Sequence, residues 1–278
     1  MFDIRSCFVP RPNHVYIDAD YNQLELFGLG QILIDLFGQS DLADVLNSGR
    51  DAHTALAATI LGISYEAADK LKQANDHDFS ETRRMAKQSN FGFGGGMGPD
   101  KFVIMVRKGY KMDFPIEKAR ELREAWYQQW PEMRRYFAMI SEEINNPDGH
   151  TTIEIPRTHM LRGGCGFCDA ANGRFQGLGA AAAKRAWFLL ARACYVQPES
   201  PLYGSRTVNM VHDQFMIETL DRPEAHDAAM EAERLMVLGA KEFMPDCTPG
   251  VVTVLARYWS KSAKAEHDEN GRLVPWPR

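Results

Sequence analysis

The strongest constraint on the fold comes from two strand-like regions that lie nearly two hundred positions apart and each carry an aspartate at an end or bend. Val15-Tyr16-Ile17-Asp18-Ala19-Asp20 alternates as a strand does, setting Tyr16, Asp18 and Asp20 on one side and Val15, Ile17 and Ala19 on the other. Far downstream, residues 207–211 and 214–220 read as a hairpin bent at His212-Asp213, with Val208, Met210, Phe215 and Ile217 alternating with polar residues. Helical periodicity dominates between them. Strands drawn from both ends of a chain around a helical middle predict an α+β fold: an antiparallel sheet with flanking helices and a helical insertion. The expected divisions are 1–40, a helical 41–145, and 146–278.

Local signals fill in this frame. Leu24, Phe27, Ile32, Leu33 and Leu36 predict a helix to about residue 37. Asp51 and Ser64 are N-cap candidates for helices over 51–61 and 65–73. A helix over 79–94 runs into Gly92, Gly94, Gly95, Gly96 and Gly98, and Pro99 opens the next one. Helices are expected over 116–129 and 132–144, then a turn at Asn146-Pro147-Asp148-Gly149 and paired strands at 151–155 and 159–161. An Ala-rich helix over 173–196, a helix over 222–242 and a strand over 251–257 complete the order. The polar tail after Trp259 carries no pattern.

A chain of 278 residues, 45% apolar, can bury a core, and its mean hydropathy of -0.36 is that of a water-soluble protein. Met1 to Pro10 lacks the basic-then-apolar pattern of a signal, and the Ala180–Ala183 run is broken by Lys184 and Arg185, so no membrane partner is expected. Five irregularly spaced cysteines point to a reducing, cytoplasmic location. Cys165 and Cys168 form half of a zinc-type pattern without a second pair. A net charge of -5 argues against a nucleic-acid partner, but the distribution argues for one. Basic residues cluster at Arg83-Arg84-Lys87, Arg107-Lys108-Lys111, Arg134-Arg135, Arg157/Arg162 and Lys184-Arg185, while acidic ones gather between Asp221 and Glu233.

An aspartate at a strand end is commonly a turn or cap residue. Two ionised carboxylates about 4 Å apart repel by roughly 4 kcal/mol at an effective dielectric near 20, so a site that gathers them needs a cation. Magnesium fits, because it takes one or two carboxylates plus substrate phosphates. On the helix over 79–94, Arg83, Lys87 and Phe91 fall at i, i+4 and i+8, within an arc of about 80°. Charge pattern alone would make that an amphipathic helix with solvated cations. Paired carboxylates and a cationic helix together make the minimal apparatus for phosphoryl transfer.

These segments also carry a family resemblance. Asp20-Tyr21-Asn22-Gln23-Leu24-Glu25-Leu26 resembles the first catalytic motif of the A family of DNA polymerases, the bacterial DNA polymerase I type. RRMAKQSNFGFGGGMG, from Arg83 to Gly98, resembles that family's nucleotide-binding helix, and Val211-His212-Asp213 its third motif. Gly49-Arg50-Asp51-Ala52-His53 looks like the segment before the fingers helices, and Asn172 to Gly177 like the primer-template contact helix. The resemblance implies a palm at 1–40 and 146–278 and fingers at 41–145. It implies template-directed addition of deoxynucleotides to a primer 3′ end, with primer-template DNA and a dNTP as partners. Two Mg2+ ions would sit on Asp20, Asp213 and the Tyr21 carbonyl. His53 and Arg83 would contact the outer phosphates, Lys87 the α-phosphate and the leaving group, and Phe91 the sugar and base. Tyr21, Gln23 and Glu25 would border the nucleotide, Glu25 excluding a 2′-hydroxyl, while Asn172, Gln176 and His212 would hydrogen-bond the primer-template.

Three positions depart from the family pattern. Gly95 stands for an aromatic residue, Gln214 for an acidic one and Phe27 for an arginine. Thumb and upstream palm have no counterpart here, which leads to the expectation of a fragment or of a separate chain supplying them. The alternatives are a catalytically silent nucleic-acid-binding remnant, which Gln214 and Gly95 favour, and a single-subunit RNA polymerase, which Glu25 and Phe91 disfavour.

Overall fold

A computed structural model describes residues 4–110 and 114–277, so Lys111 of the second basic cluster lies outside the described residues. The chain divides into two compact units, one comprising the residues up to Glu25 with those from Gly179 onward, the other Leu26–Leu178. The fold class is α+β, with an antiparallel main sheet, as expected.

In the first unit, β1 (His14–Tyr21) lies at the centre of a four-stranded sheet with β4 (Arg206–Val211), β5 (Gln214–Leu220) and β6 (Val251–Ala256), in the order β4-β5-β1-β6. Every pairing is antiparallel, and Asp20 lies opposite Gln214 on one side and Val252 on the other. The odd-numbered residues of β1 face α10 (Ala225–Phe243): Val15, Ile17 and Ala19 are fully buried, and the Tyr21 hydroxyl donates to the Met236 carbonyl at 2.5 Å. Burial extends to the other face as well, because Met216 and Trp259 cover Tyr16. Asp18, on the same side as Tyr16 and Asp20, is buried as well. The second half of the long helix α9 (Phe167–Tyr195) meets α10 at Gly239, where a Cβ would come within 2.7 Å of the Ala186 nitrogen. Only glycine allows that approach.

The polar tail is more ordered than its sequence suggests. Two-residue strands β7 (Glu266–His267) and β8 (Leu273–Val274) pair across a turn in which Asp268 accepts from the Asn270 and Arg272 amides, and Trp276 bridges to Ala256. Strands that short leave no alternation to read.

In the second unit, α1 (Leu24–Phe37) leads into α2 (Asp41–Asn47), α3 (Ala52–Leu61), α4 (Tyr65–Gln73), α5 (His77–Gly94), α6 (Pro99–Tyr110), α7 (Ile116–Gln129) and α8 (Glu132–Glu143). Asp51 and Ser64 cap α3 and α4 as expected, whereas α5 starts earlier than expected because Asp76 caps it through the Phe79 amide. The unexpected α2, only two turns long, is capped by Ser40. A hairpin of β2 (Thr151–Ile155) and β3 (Met160–Cys165) lies on the first half of α9, where Ile153 and Ile155 fill the space left by Gly173 and Gly177. Arg174 pairs with Glu143 at 2.6 Å and the Tyr136 hydroxyl donates to Ala171, which ties residues 151–178 to the helices. The compact unit therefore extends past the division expected near 145.

Candidate active site

In the sheet unit, the β4–β5 turn brings Asp213 to the end of β1. The Tyr21 amide donates to the Asp213 carbonyl at 3.3 Å, and Asp20 is paired with the next residue, Gln214. Arg5, Asp18, Asp20, Asn22, Asp213 and Gln214 are among the residues lining a cavity of about 530 Å³ there. Asp20 is exposed at its edge and Asp18 lies deep, only 7% exposed. The Asp20 carboxyl is pushed up to about 6, first by its withdrawal from water, then by the charges of Asp213 and Asp18, with Arg5 and the Tyr21 amide opposing. Burial likewise raises Asp18, against the Gln214 hydrogen bond and Arg5.

Gln214 holds Asp18 by a 2.7 Å hydrogen bond from its amide nitrogen, and its Oε1 accepts from the Trp259 indole at 3.3 Å. The Arg5 guanidinium stacks over that indole at 4.6 Å. No set of three or more His, Cys, Asp or Glu side chains forms a metal cage among the described residues. The donor set instead suits a hard cation that shares its shell with substrate: Asp20, raised first by burial and then by the charges of Asp213 and Asp18, together with Asp213 and the backbone at Tyr21.

Tyr21 reaches this end of β1 through its backbone alone, because its ring is buried toward α10 and burial raises its hydroxyl far above the ordinary value. His212, at the bend, is exposed with φ of 58°. Gln23 also has a positive φ, 53°, and its Oε1 is buried without a hydrogen-bond partner. Glu25 is half-buried in the first turn of α1.

In the helical unit, Arg83, Lys87 and Phe91 lie along the accessible side of α5, with Ala86, Ser89, Asn90 and Phe93 buried opposite. Arg83 is committed within the fold: its guanidinium pairs with Asp51, which also accepts from Lys72 at 3.1 Å. Burial alone would raise the Asp51 carboxyl, but Arg83 foremost, then His53 and Lys72, hold it far below the usual range. Lys87 is exposed and forms no ion pair among the described residues. His53, 4% exposed, packs its ring 5.6 Å from that of Phe91, and burial first, then Arg83, Lys87 and Lys72, lower it to about 4 against the pull of Asp51.

Asn172 is also engaged by its own chain, its amide donating to the Gly95 and Cys168 carbonyls at 3.0 Å, while Gln176 is exposed. A Cβ on Gly95 would meet the Asn172 amide at 2.4 Å, so Asn172 occupies the room beside this residue. The two line a cavity of about 420 Å³ with Phe91, Met97, Lys101 and Met105. Many basic side chains of the sequence clusters are paired rather than free: Arg134 with Glu124, Arg157 with Asp35, Arg162 with Asp169, Arg185 with Glu242. None of the five cysteines is in a disulfide. Sequence reasoning leaves out three participants, Asp18, Asp51 as an ion-pair partner and Asn90. Only the alternation that puts Asp18 on the side of Asp20 gives any of them a signal.

The helices of the described residues include none long and apolar enough to cross a membrane. Comparison with known proteins places the chain. It is 24% identical over 262 residues to the DNA polymerase I of Aquifex aeolicus (strain VF5), covering 93% of this chain and 42% of that protein. It is 28% identical over 257 residues to the thermostable DNA polymerase I of Thermus thermophilus, covering 88% of this chain and 26% of that protein. The chain thus spans less than half the length of these relatives. The fold is similar to that of a solved structure, the POL domain of Pol1 from M. smegmatis in complex with DNA primer-template and dNTP, with a TM-score of 0.68 and 19% identity, covering 92% of this chain and 42% of that one. The profile of DNA polymerase family A matches residues 1–248, and the chain belongs to that family.

Proposed function

We propose that this chain carries the palm and fingers of a template-directed DNA polymerase, adding deoxynucleotides to a primer 3′ end. The observation that carries the reading is the pair Asp20 and Asp213 at the junction of β1 and the β4–β5 turn, where burial first and then the charges of Asp213 and Asp18 raise Asp20. Asp20, Asp213 and the Tyr21 carbonyl would hold two Mg2+ ions, which when bound make the primer 3′-hydroxyl more acidic and neutralise charge on the triphosphate. In this reading residues 41–145, the helices of the second unit from α2 to α8, are the fingers, and residues 1–40 and 146–278 the palm. Lys87 binds the α-phosphate and gives a proton to the departing pyrophosphate, a role suited to its exposure and lack of an ion pair. His53 and Arg83 take the outer phosphates, and Arg83 must exchange Asp51 for phosphate oxygens to do so. Phe91, half-exposed beside His53, offers an apolar face to sugar and base, and Glu25 excludes the 2′-hydroxyl. Tyr21 and Gln23 border the nucleotide through the turn that follows β1, where the Gln23 Oε1 is left for a ligand to satisfy.

The partners in this reading are a dNTP and primer-template DNA, contacted by Asn172, Gln176 and His212. A separate chain, or a longer form of this one, supplies the thumb and upstream palm. A second reading, a nucleic-acid-binding remnant without activity, draws on Gln214, which gives an amide where the family carries an acid.

The test is extension of a primer annealed to a template, with dNTPs or rNTPs, with and without Mg2+. The reading expects short, Mg2+-dependent products from dNTPs and at least about tenfold less from rNTPs, as one sterically enforced discrimination provides. A folded protein that binds the duplex yet extends nothing would favour the remnant. Equal use of rNTPs would remove Glu25 from its role.

A further inference from the structure

In the helical unit, a buried amide faces one ring nitrogen of His53. Asn90, 2% exposed on α5, sits between two tryptophans and the histidine. The Trp126 and Trp130 indole nitrogens both approach its Oδ1, at 3.1 and 3.0 Å, and both rings are 1% exposed. An indole N–H can only donate, so the atom that receives both must be the amide oxygen. The opposite end of the amide is therefore NH2, and it points at the Ala52 carbonyl at 3.3 Å and at His53 Nδ1 at 3.0 Å.

We infer that Asn90, oriented by Trp126 and Trp130, is a positioning residue that keeps His53 neutral with its proton on Nε2. An N–H facing Nδ1 requires a lone pair there, because a proton on Nδ1 would set two donors against each other in a site sealed from water. Both the other neutral tautomer and the imidazolium are disfavoured by that one contact. The charged groups around the ring act in both directions: Asp51 at the start of α3 favours a cation, while Arg83 and Lys87 on α5 and Lys72 on α4 oppose it. Among the described residues nothing accepts a hydrogen bond from Nε2, and it is absent from the buried polar atoms without partners, so it reaches the surface. Resting on the nucleotide reading above, this makes His53 a neutral hydrogen-bond donor to a phosphate oxygen, with its direction set before the nucleotide arrives. Charge on that phosphate is left to Arg83 and Lys87.

Long-range proton–nitrogen NMR of the full chain labelled with 15N-histidine reads the tautomer directly, with His53→Gln identifying the signals. The wild type is expected to show a single Nε2–H tautomer that stays neutral down to about pH 5. Asn90→Asp replaces the NH2 with a second acceptor. It is expected to transfer the proton to Nδ1 and to raise the titration midpoint from about 4 to above the ordinary 6.5. An Nδ1–H or rapidly averaged tautomer in the wild type would overturn the inference, and that spectrum decides even if the variant fails to fold. So would a folded Asn90→Asp protein with the wild-type tautomer and midpoint. Adding dATP separates this from the functional reading: an Nε2–H tautomer whose signals ignore dATP supports the positioning and counts against the nucleotide site.

Discussion

Asp20 is a carboxylate kept at a disadvantage in the free protein. Its pKa is raised from 3.8 to about 6, so the folded state binds a proton more readily than the unfolded chain does. Its contribution is thus most favourable below 3.8 and is lost as pH rises through 6. Replacing it by asparagine is expected to stabilise the free protein at pH 7, by on the order of 1 kcal/mol once solvent screening of this exposed group is allowed for. The gain should disappear between pH 6 and 3.8, as urea denaturation across that range would measure. Mg2+ should raise the melting temperature of the wild type and not of Asp20→Asn. The neighbouring Gln214 makes a less intuitive case. Restoring the family's acid with Gln214→Glu would face a second carboxylate toward buried Asp18 in place of the 2.7 Å amide hydrogen bond. A loss of about 1–3 kcal/mol at pH 7 is expected, easing on acidification, where a gain in stability would contradict the role given to that contact.

At the scale of elements, α3 and α5 are clamped by Asp51, which caps α3 and binds Arg83. Its carboxyl is lowered, so its stabilisation is present above the ordinary 3.8 and fades as pH falls. Asp51→Asn keeps the cap but is expected to cost about 2 kcal/mol at pH 7, and the cost should begin to shrink only below pH 3.8 and still be largely present at pH 3, by chemical denaturation. It should also bind dNTP a few-fold more tightly, because Arg83 is released. Between α5 and α9, Gly95→Tyr would drive out the Asn172 amide and its two hydrogen bonds, with an expected loss of about 1–2 kcal/mol in thermal unfolding. These elements are largely legible in the sequence where a local rule applies: Asp51 and Ser64 announce their helices, the glycines after α5 end it, and His212-Asp213 bends the hairpin. Legibility fails where the determinant is distant or slight. Seven residues of α2 span too few turns for a periodicity, and nothing local to Gly173 and Gly177, inside the expected helix, announces that they seat Ile153 and Ile155. The bonds from Asp18 to Gln214 and from Asn90 to Trp126 join positions remote in sequence, where nothing local marks the pairing.

At the scale of the whole molecule, each unit holds one half of the proposed apparatus, the carboxylates in the sheet unit and the phosphate-binding cations in the helical one. The relatives of this chain are more than twice as long, and under the proposed reading, in which thumb and upstream palm come from other sequence, brief extension per binding event is expected. The strand-borne acids and the cationic helix stand out from the sequence because alternation and helical spacing display them. How far the acids perturb each other does not, since that depends on how much of Asp20 is withdrawn from water and on the charges of Asp213 and Asp18 gathered around it in the fold. The most direct measurement is single-nucleotide incorporation opposite a matched template base in Mg2+, comparing the wild type with Asp20→Asn and Asp213→Asn, each shown to be folded. Incorporation should fall by at least about a thousandfold in both variants, as expected for removal of a metal-holding carboxylate. Activity persisting near the wild-type rate in either variant would contradict the claim that Asp20 and Asp213 jointly hold the catalytic cations.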